Sequence, residues 1–125
     1  MAGTKGSRYY DIFLKHRVWL ENIYGHDIVG NGKFELLLCI DELESLVSAA
    51  DKLNISYRKA WGNLREIEQH LGFPIVDKSR GGKEGGRTSL NHEGKKLINA
   101  YKEYLDDIDK LMRDAARSFW AKVNG

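Results

Sequence analysis

The sequence predicts a mainly α fold of the α+β class, and three observations carry that expectation. Residues 45–70, SLVSAADKLNISYRKAWGNLREIEQH, read as two short amphipathic helices joined by a tight turn. A glycine-rich basic hairpin follows at once over residues 75–90, and a proline-free stretch from 92 to about 123 has the spacing of one long helix. With 125 residues, 42% of them hydrophobic, the chain can build one compact domain and one extension. The expected division is a tail over 1–8, a domain over 9–91 and a terminal helix over 92–125.

Residues 1–7, MAGTKGS, are small and polar, as mobile tails are. From Tyr9 the chain alternates loosely through YYDIFLKHRVWLE, and turn residues lie between Asn22 and Asp27. This predicts a strand ending near Glu21, a short partner over 27–29, and a small hairpin anchored to the core by Trp19. Asn31 is the expected cap of a helix running through Glu44, with Phe34, Leu37, Leu38, Ile40 and Leu43 as its apolar face.

Ser45 caps the next helix, whose buried face is Leu46, Ala49, Ala50 and Leu53; Asn54 and Ile55 make the turn. Ser56 caps a helix over 56–71 that Gly72, Phe73 and Pro74 stop. Ala60, Leu64, Ile67 and Leu71 recur at steps of four, three and four, which at ~100° per residue forms one stripe. Arg58, Gly62, Arg65 and Gln69 face the other way, flanked by Lys59, Asn63 and Glu66. A buried rear and a basic front suit a helix that enters a DNA major groove, although an ordinary amphipathic hairpin has the same pattern.

The segment IVDKSRGGKEGGRTSL distinguishes the two. It reads as a strand, a tip carrying Arg80, Lys83 and Arg87, and a return strand, with four glycines between 81 and 86. Such a tip cannot pack a core but can lie against phosphates or a minor groove. A helix-turn-helix followed by a basic hairpin at 79–88 is the order of a winged helix.

Asn91 caps the last helix, with Gly94 weakening its first turn. Some 30 residues make a rod of ~45 Å. Leu97, Tyr101, Tyr104, Ile108, Leu111 and Ala115 follow steps of four and three, and Ile98, Leu105, Met112 and Phe119 add a second line at steps of seven. The face is too wide for one partner, which predicts a homodimer; a monomer whose helix folds back is the alternative.

The net charge of +2 is small, but its distribution is uneven: −2 over residues 1–55, +4 over 56–96 and zero over 97–125. The excess coincides with the proposed recognition helix and wing. The single cysteine, Cys39, sits among apolar residues and excludes an intramolecular disulfide. No apolar run approaches the ~20 residues of a membrane span, so the expected location is the cytoplasm.

Enzymatic patterns are weak. Gly81 to Thr88, GGKEGGRT, resembles a phosphate-binding loop with Arg87 in place of lysine, but bridges two short strands instead of leading from a strand into a helix. His16, His26, His70 and His92 form no ligand spacing, and Asp106, Asp107 and Asp109 lie on a polar helix face. No cofactor, metal or catalytic residue is expected.

The motifs RVWLE, SLVSAADKLNISYRKAW, GGKEGG and SLNHEGKKLINAY are similar to the N-terminal DNA-binding domain of the ModE-type molybdate-responsive transcriptional regulators, a winged-helix family related to the LysR-type regulators. The resemblance spans roughly residues 17–111. It implies a dimer through the long helix, for which the spacing above offers Leu97, Tyr101, Tyr104, Ile108, Leu111, Met112 and Phe119, with recognition helices in successive major grooves. Carried over, the groove-facing positions correspond to Ser56, Tyr57, Arg58 and Lys59, with Trp61 and Gly62 in the next turn, and Lys59 and Asn63 are second choices for base contact after Arg58. Arg58 is the expected base reader, since guanidinium pairs bidentately with guanine. Tyr57 can pack its ring while its hydroxyl reaches a phosphate, and Trp61 fits packing as well as base contact. Arg80, Lys83 and Arg87 are expected on the phosphate backbone.

The family's full-length members carry C-terminal oxyanion-binding modules, and nothing up to Gly125 matches one. The resemblance therefore supports binding to double-stranded DNA far better than it supports molybdate or tungstate sensing, which stays open. An effector, a partner protein or redox chemistry at Cys39 stays open. The competing reading is a protein-interaction module on a winged-helix scaffold.

Overall fold

The computed structural model describes residues 8–79 and 86–125. Its elements, in chain order, are β1 (Leu20–Glu21), β2 (Asp27–Val29), α1 (Asn31–Leu43), α2 (Leu46–Lys52), α3 (Tyr57–Leu71), β3 (Val76–Ser79), β4 (Arg87–Leu90) and α4 (His92–Asn124). Two antiparallel hairpins, β1–β2 and β3–β4, accompany the four helices. The mainly α winged helix-turn-helix architecture with its long last helix is as the sequence predicts. By compactness the chain divides into one unit of Trp19–Ala100 and another formed by the residues up to Val18 with Tyr101–Gly125.

In the larger unit α1, α2 and α3 pack on one another, with β2 against α3 and β4 against α1. Leu36, Leu37, Ile40, Leu64, Ile67, Ile75 and Ile98 are fully buried. Each contributes about 1.5–3 kcal/mol relative to exposure. Ala49 and Ala60 are also fully buried, and side chains this small let the α2 and α3 backbones approach. Cys39 is buried as expected, and burial pushes its thiol pKa above the ordinary 9.0 despite the opposing Lys52 charge. A thiol held protonated is a poor nucleophile, which argues against redox chemistry there.

Local chemistry sets the helix ends. Ser45 Oγ accepts from Ser48 N at 3.1 Å and Ser56 Oγ accepts from Lys59 N at 3.0 Å, the two expected N-caps. Between them Asn54 takes the left-handed turn with φ 56°, a conformation asparagine tolerates better than most residues. Gly72 closes α3 at φ 89°. Asn91 caps α4, its Oδ1 accepting from Gly94 N at 2.9 Å while its Nδ2 donates to Pro74 O at 3.1 Å.

Three expectations need correction. Gly30, not Asn31, is the N-cap of α1, and it supplies no side-chain hydrogen bond. Leu43 is partly exposed at the end of α1, and Leu36, outside the expected face, is fully buried instead. Trp19 is 43% exposed, with its indole N–H directed to Glu21 Oε1 at 3.5 Å. The hairpin is held by buried Ile28 and Val29 of β2 and by a polar tie to α3: Asn22 Nδ2 donates to His70 O at 3.4 Å, and the His26 ring stacks on His70 at 4.7 Å. Finally, Gly94 is no mere weakness. A Cβ there would lie 2.3 Å from the Ile75 carbonyl oxygen, so glycine permits α4 to start against the entrance to β3.

In the smaller unit the Tyr101 hydroxyl donates to Val18 O at 3.1 Å, and Tyr9 meets Trp120 at 5.6 Å between ring centroids. Phe119 lies edge-on to Trp120 at 5.1 Å. Burial raises the Tyr101 pKa above its ordinary 10.0. No helix among the described residues is long and apolar enough to cross a membrane.

Candidate nucleic-acid interface

The sequence-predicted site residues that can be placed lie on the first turns of α3 and on β4. Ser56 starts the helix and spends one lone pair on its cap. Tyr57 is 53% exposed, and Arg58, Lys59 and Gly62 are exposed beside it, with Asn63 half-buried. Arg58 and Lys59 form no ion pair among the described residues. The first turn of α3 contains no acidic residue, so nothing on the helix itself offsets these cations. Arg80 and Lys83 lie outside the described residues.

The acidic residues of α3 face other work. Glu66 pairs with Lys33 at 3.3 Å. Glu68 Oε2 accepts from Ile75 N at 2.7 Å and Val76 N at 3.3 Å, tying the helix to the start of β3. Neither dilutes the basic N-terminal turn, which composition alone leaves ambiguous.

Arg87 acquires a partner within its own chain. Its guanidinium pairs with the carboxylate of Glu44, the left-handed C-cap of α1 at φ 52°. Glu44 O also accepts from Thr88 N at 3.2 Å, so the root of β4 is fixed to the end of α1 by backbone and side chain together. Arg87 is thereby held at the wing root, a role its sequence position did not signal.

Gly62 has no internal explanation. Its backbone is helical, and nothing lies within 4 Å of where a Cβ would be. A glycine inside a helix costs about 0.5–1 kcal/mol relative to alanine. The space it leaves opens outward, on the same face as Arg58.

Trp61 resolves toward an aromatic platform. It is half-buried, and the Arg65 guanidinium carbon stands 4.7 Å from its ring centroid, with Lys78 Nζ at 5.3 Å. Sequence reasoning set Arg65 on the outer face but did not connect Lys78 to it; the Trp61–Arg65 spacing of four was the available signal. Among the described residues no group of three histidine, cysteine or acidic side chains could hold a metal.

Comparison with known proteins gives this arrangement a lineage. The family model for bacterial regulatory helix-turn-helix proteins of the LysR family matches residues 32–95, from α1 to the first turn of α4. The chain belongs to that family. The chain is 32% identical to the molybdenum-pterin-binding protein MopB of Rhodobacter capsulatus over 72% of its own length and 33% of that protein's. It is 35% identical to the DNA-binding transcriptional dual regulator ModE of Escherichia coli K12 over 46% of its length and 22% of that protein's. It thus spans a third or less of these relatives. Among solved structures, the CbnR DNA-binding domain in complex with DNA matches with a TM-score of 0.54 at 19% identity, over 73% of this chain and 95% of that one. At that identity the likeness is one of fold: the LysR-family winged helix with a long C-terminal helix.

Proposed function

We propose that the chain is a homodimeric, sequence-specific DNA-binding transcriptional regulator of the ModE and LysR-like kind. The α3 helix, with residues 56–71 as its reach, enters the major groove, and the 79–88 wing meets the backbone or minor groove. Tyr57, Arg58, Lys59 and Asn63 are the side chains offered to the bases, Arg58 first. Ser56 and Gly62 let the helix backbone come close. The observation that carries this reading is Gly62: a helix-interior glycine with empty space before it, beside unpaired cations, has its reason outside its own chain.

The second copy in this reading uses α4. Tyr104, Leu111, Met112 and Phe119 are exposed at 52%, 65%, 39% and 42%, an apolar face for another subunit, with Leu97 and Ile108 half-buried beside it. Tyr101 is covered by its own chain and contributes by holding Val18. The protein-interaction alternative gains nothing specific from the geometry, and an enzymatic reading gains nothing either. A soluble cytoplasmic regulator is the corresponding cellular role.

Gly62→Ala tests the reading because stability and binding separate. Alanine raises the melting temperature slightly, by the ~0.5–1 kcal/mol of helix propensity, and weakens binding to the specific duplex by tenfold or more as its methyl meets the groove. A variant that is stabilised and binds DNA like the parent contradicts the placement of α3.

A further inference from the structure

Two cations converge on one ring at the seam between α3 and the wing. Arg65 and Lys78 come from different elements, yet both charge centres stand over the Trp61 indole, at 4.7 and 5.3 Å from its centroid. They are therefore at most about 10 Å apart, within reach of one stretch of a nucleic-acid strand that carries a charge every ~3.4 Å of axis. Like charges held this close repel. Cation–π attraction to the half-buried ring offsets only part of that repulsion. Among the described residues neither forms an ion pair with a carboxylate, although Glu66 and Glu68 are on the same helix and Asp77 is next to Lys78. Glu66 is occupied by Lys33, and Glu68 by the amides of Ile75 and Val76. Two of the nearby acids are thus engaged elsewhere, and among the described residues the two positive charges have no ion-pair partner.

We propose that Arg65 and Lys78 form a clamp for backbone phosphate of DNA, with Trp61 as the positioning residue that aims both. The clamp rests on the DNA-binding reading above and adds a site to it. A phosphate supplies the missing negative charge, and the indole limits the rotamers of two long side chains, so less freedom is lost on binding. Because phosphate contacts carry no sequence information, the clamp serves register and affinity, not base choice. It also ties the wing strand β3 to α3 when DNA is present.

The test measures affinity of the full chain for a random-sequence duplex across a series of salt concentrations. Arg65→Gln and Lys78→Gln each reduce the slope of log K against log salt by about 0.9, and the double variant by about twice that. Trp61→Leu keeps both charges, yet lowers the slope as the double variant does; Trp61→Phe restores it. A melting curve for each variant separates positioning from stability. Three results overturn the clamp: unchanged slopes for the glutamine variants, a Trp61→Leu protein that loses stability but keeps the parental slope, or failure of Trp61→Phe to restore it. Parent protein that binds the duplex while the variants match it sinks the clamp alone. Parent protein that binds no duplex at low salt sinks the DNA reading and the clamp together.

Discussion

Single residues in this chain are most informative where their ordinary reading fails. Gly94 looks like a flaw in a helix start, yet the 2.3 Å approach of the Ile75 carbonyl to its missing Cβ makes it a spacer. Gly94→Ala should destabilise the fold by about 1–3 kcal/mol through overpacking, seen as a lower melting temperature; an unchanged one would contradict this close approach. Gly62, in a similar helical setting, predicts the opposite sign because nothing faces it. Sequence could not distinguish the two glycines, since both interrupt a helix pattern. What differs is a contact made with a residue 19 positions away in one case and none in the other. The caps at Ser45, Ser56 and Asn91 were legible, because capping is local and needs only a side-chain oxygen three residues before an amide.

At the scale of elements, α3 and the wing behave as one device. Glu68 reaches from the last turns of α3 to two amides at the start of β3, and Arg87 with Glu44 fixes the other strand to α1. Glu68→Ala leaves the buried Ile75 amide without its acceptor and should cost about 1–3 kcal/mol, with faster hydrogen exchange at residues 75 and 76. Glu68→Gln keeps an acceptor and should lose less; equal stability of all three proteins would contradict the tie. The helices and their buried faces could be read from periodicity, because α3 repeats its apolar residues at helical spacing. The first hairpin was read too long. Only Leu20 and Glu21 form a strand, since β2 offers a ladder of three residues, and Arg8–Val18 belongs with the end of α4. The partners of Glu68 and Arg87 were not legible for one reason: they come from other elements, and charge counting cannot see where a side chain points.

For the whole molecule, the proposed assembly depends on α4. Leu111 is 65% exposed and makes little contribution to its own subunit. Leu111→Lys should therefore leave helix content and melting of the monomer intact while halving the mass seen by sedimentation; a parent protein that is already monomeric would contradict the dimer. A dimer presents two α3 helices to DNA and implies a roughly palindromic site with half-sites one or more turns apart. The measurement that tests the central claim most directly is fluorescence anisotropy of the full chain against two labelled duplexes, one from its gene's upstream region and one scrambled, at several salt concentrations. The account predicts tighter binding to the upstream duplex, with affinity falling log-linearly in salt as counterions are released. Absence of binding to either duplex at low salt would contradict it.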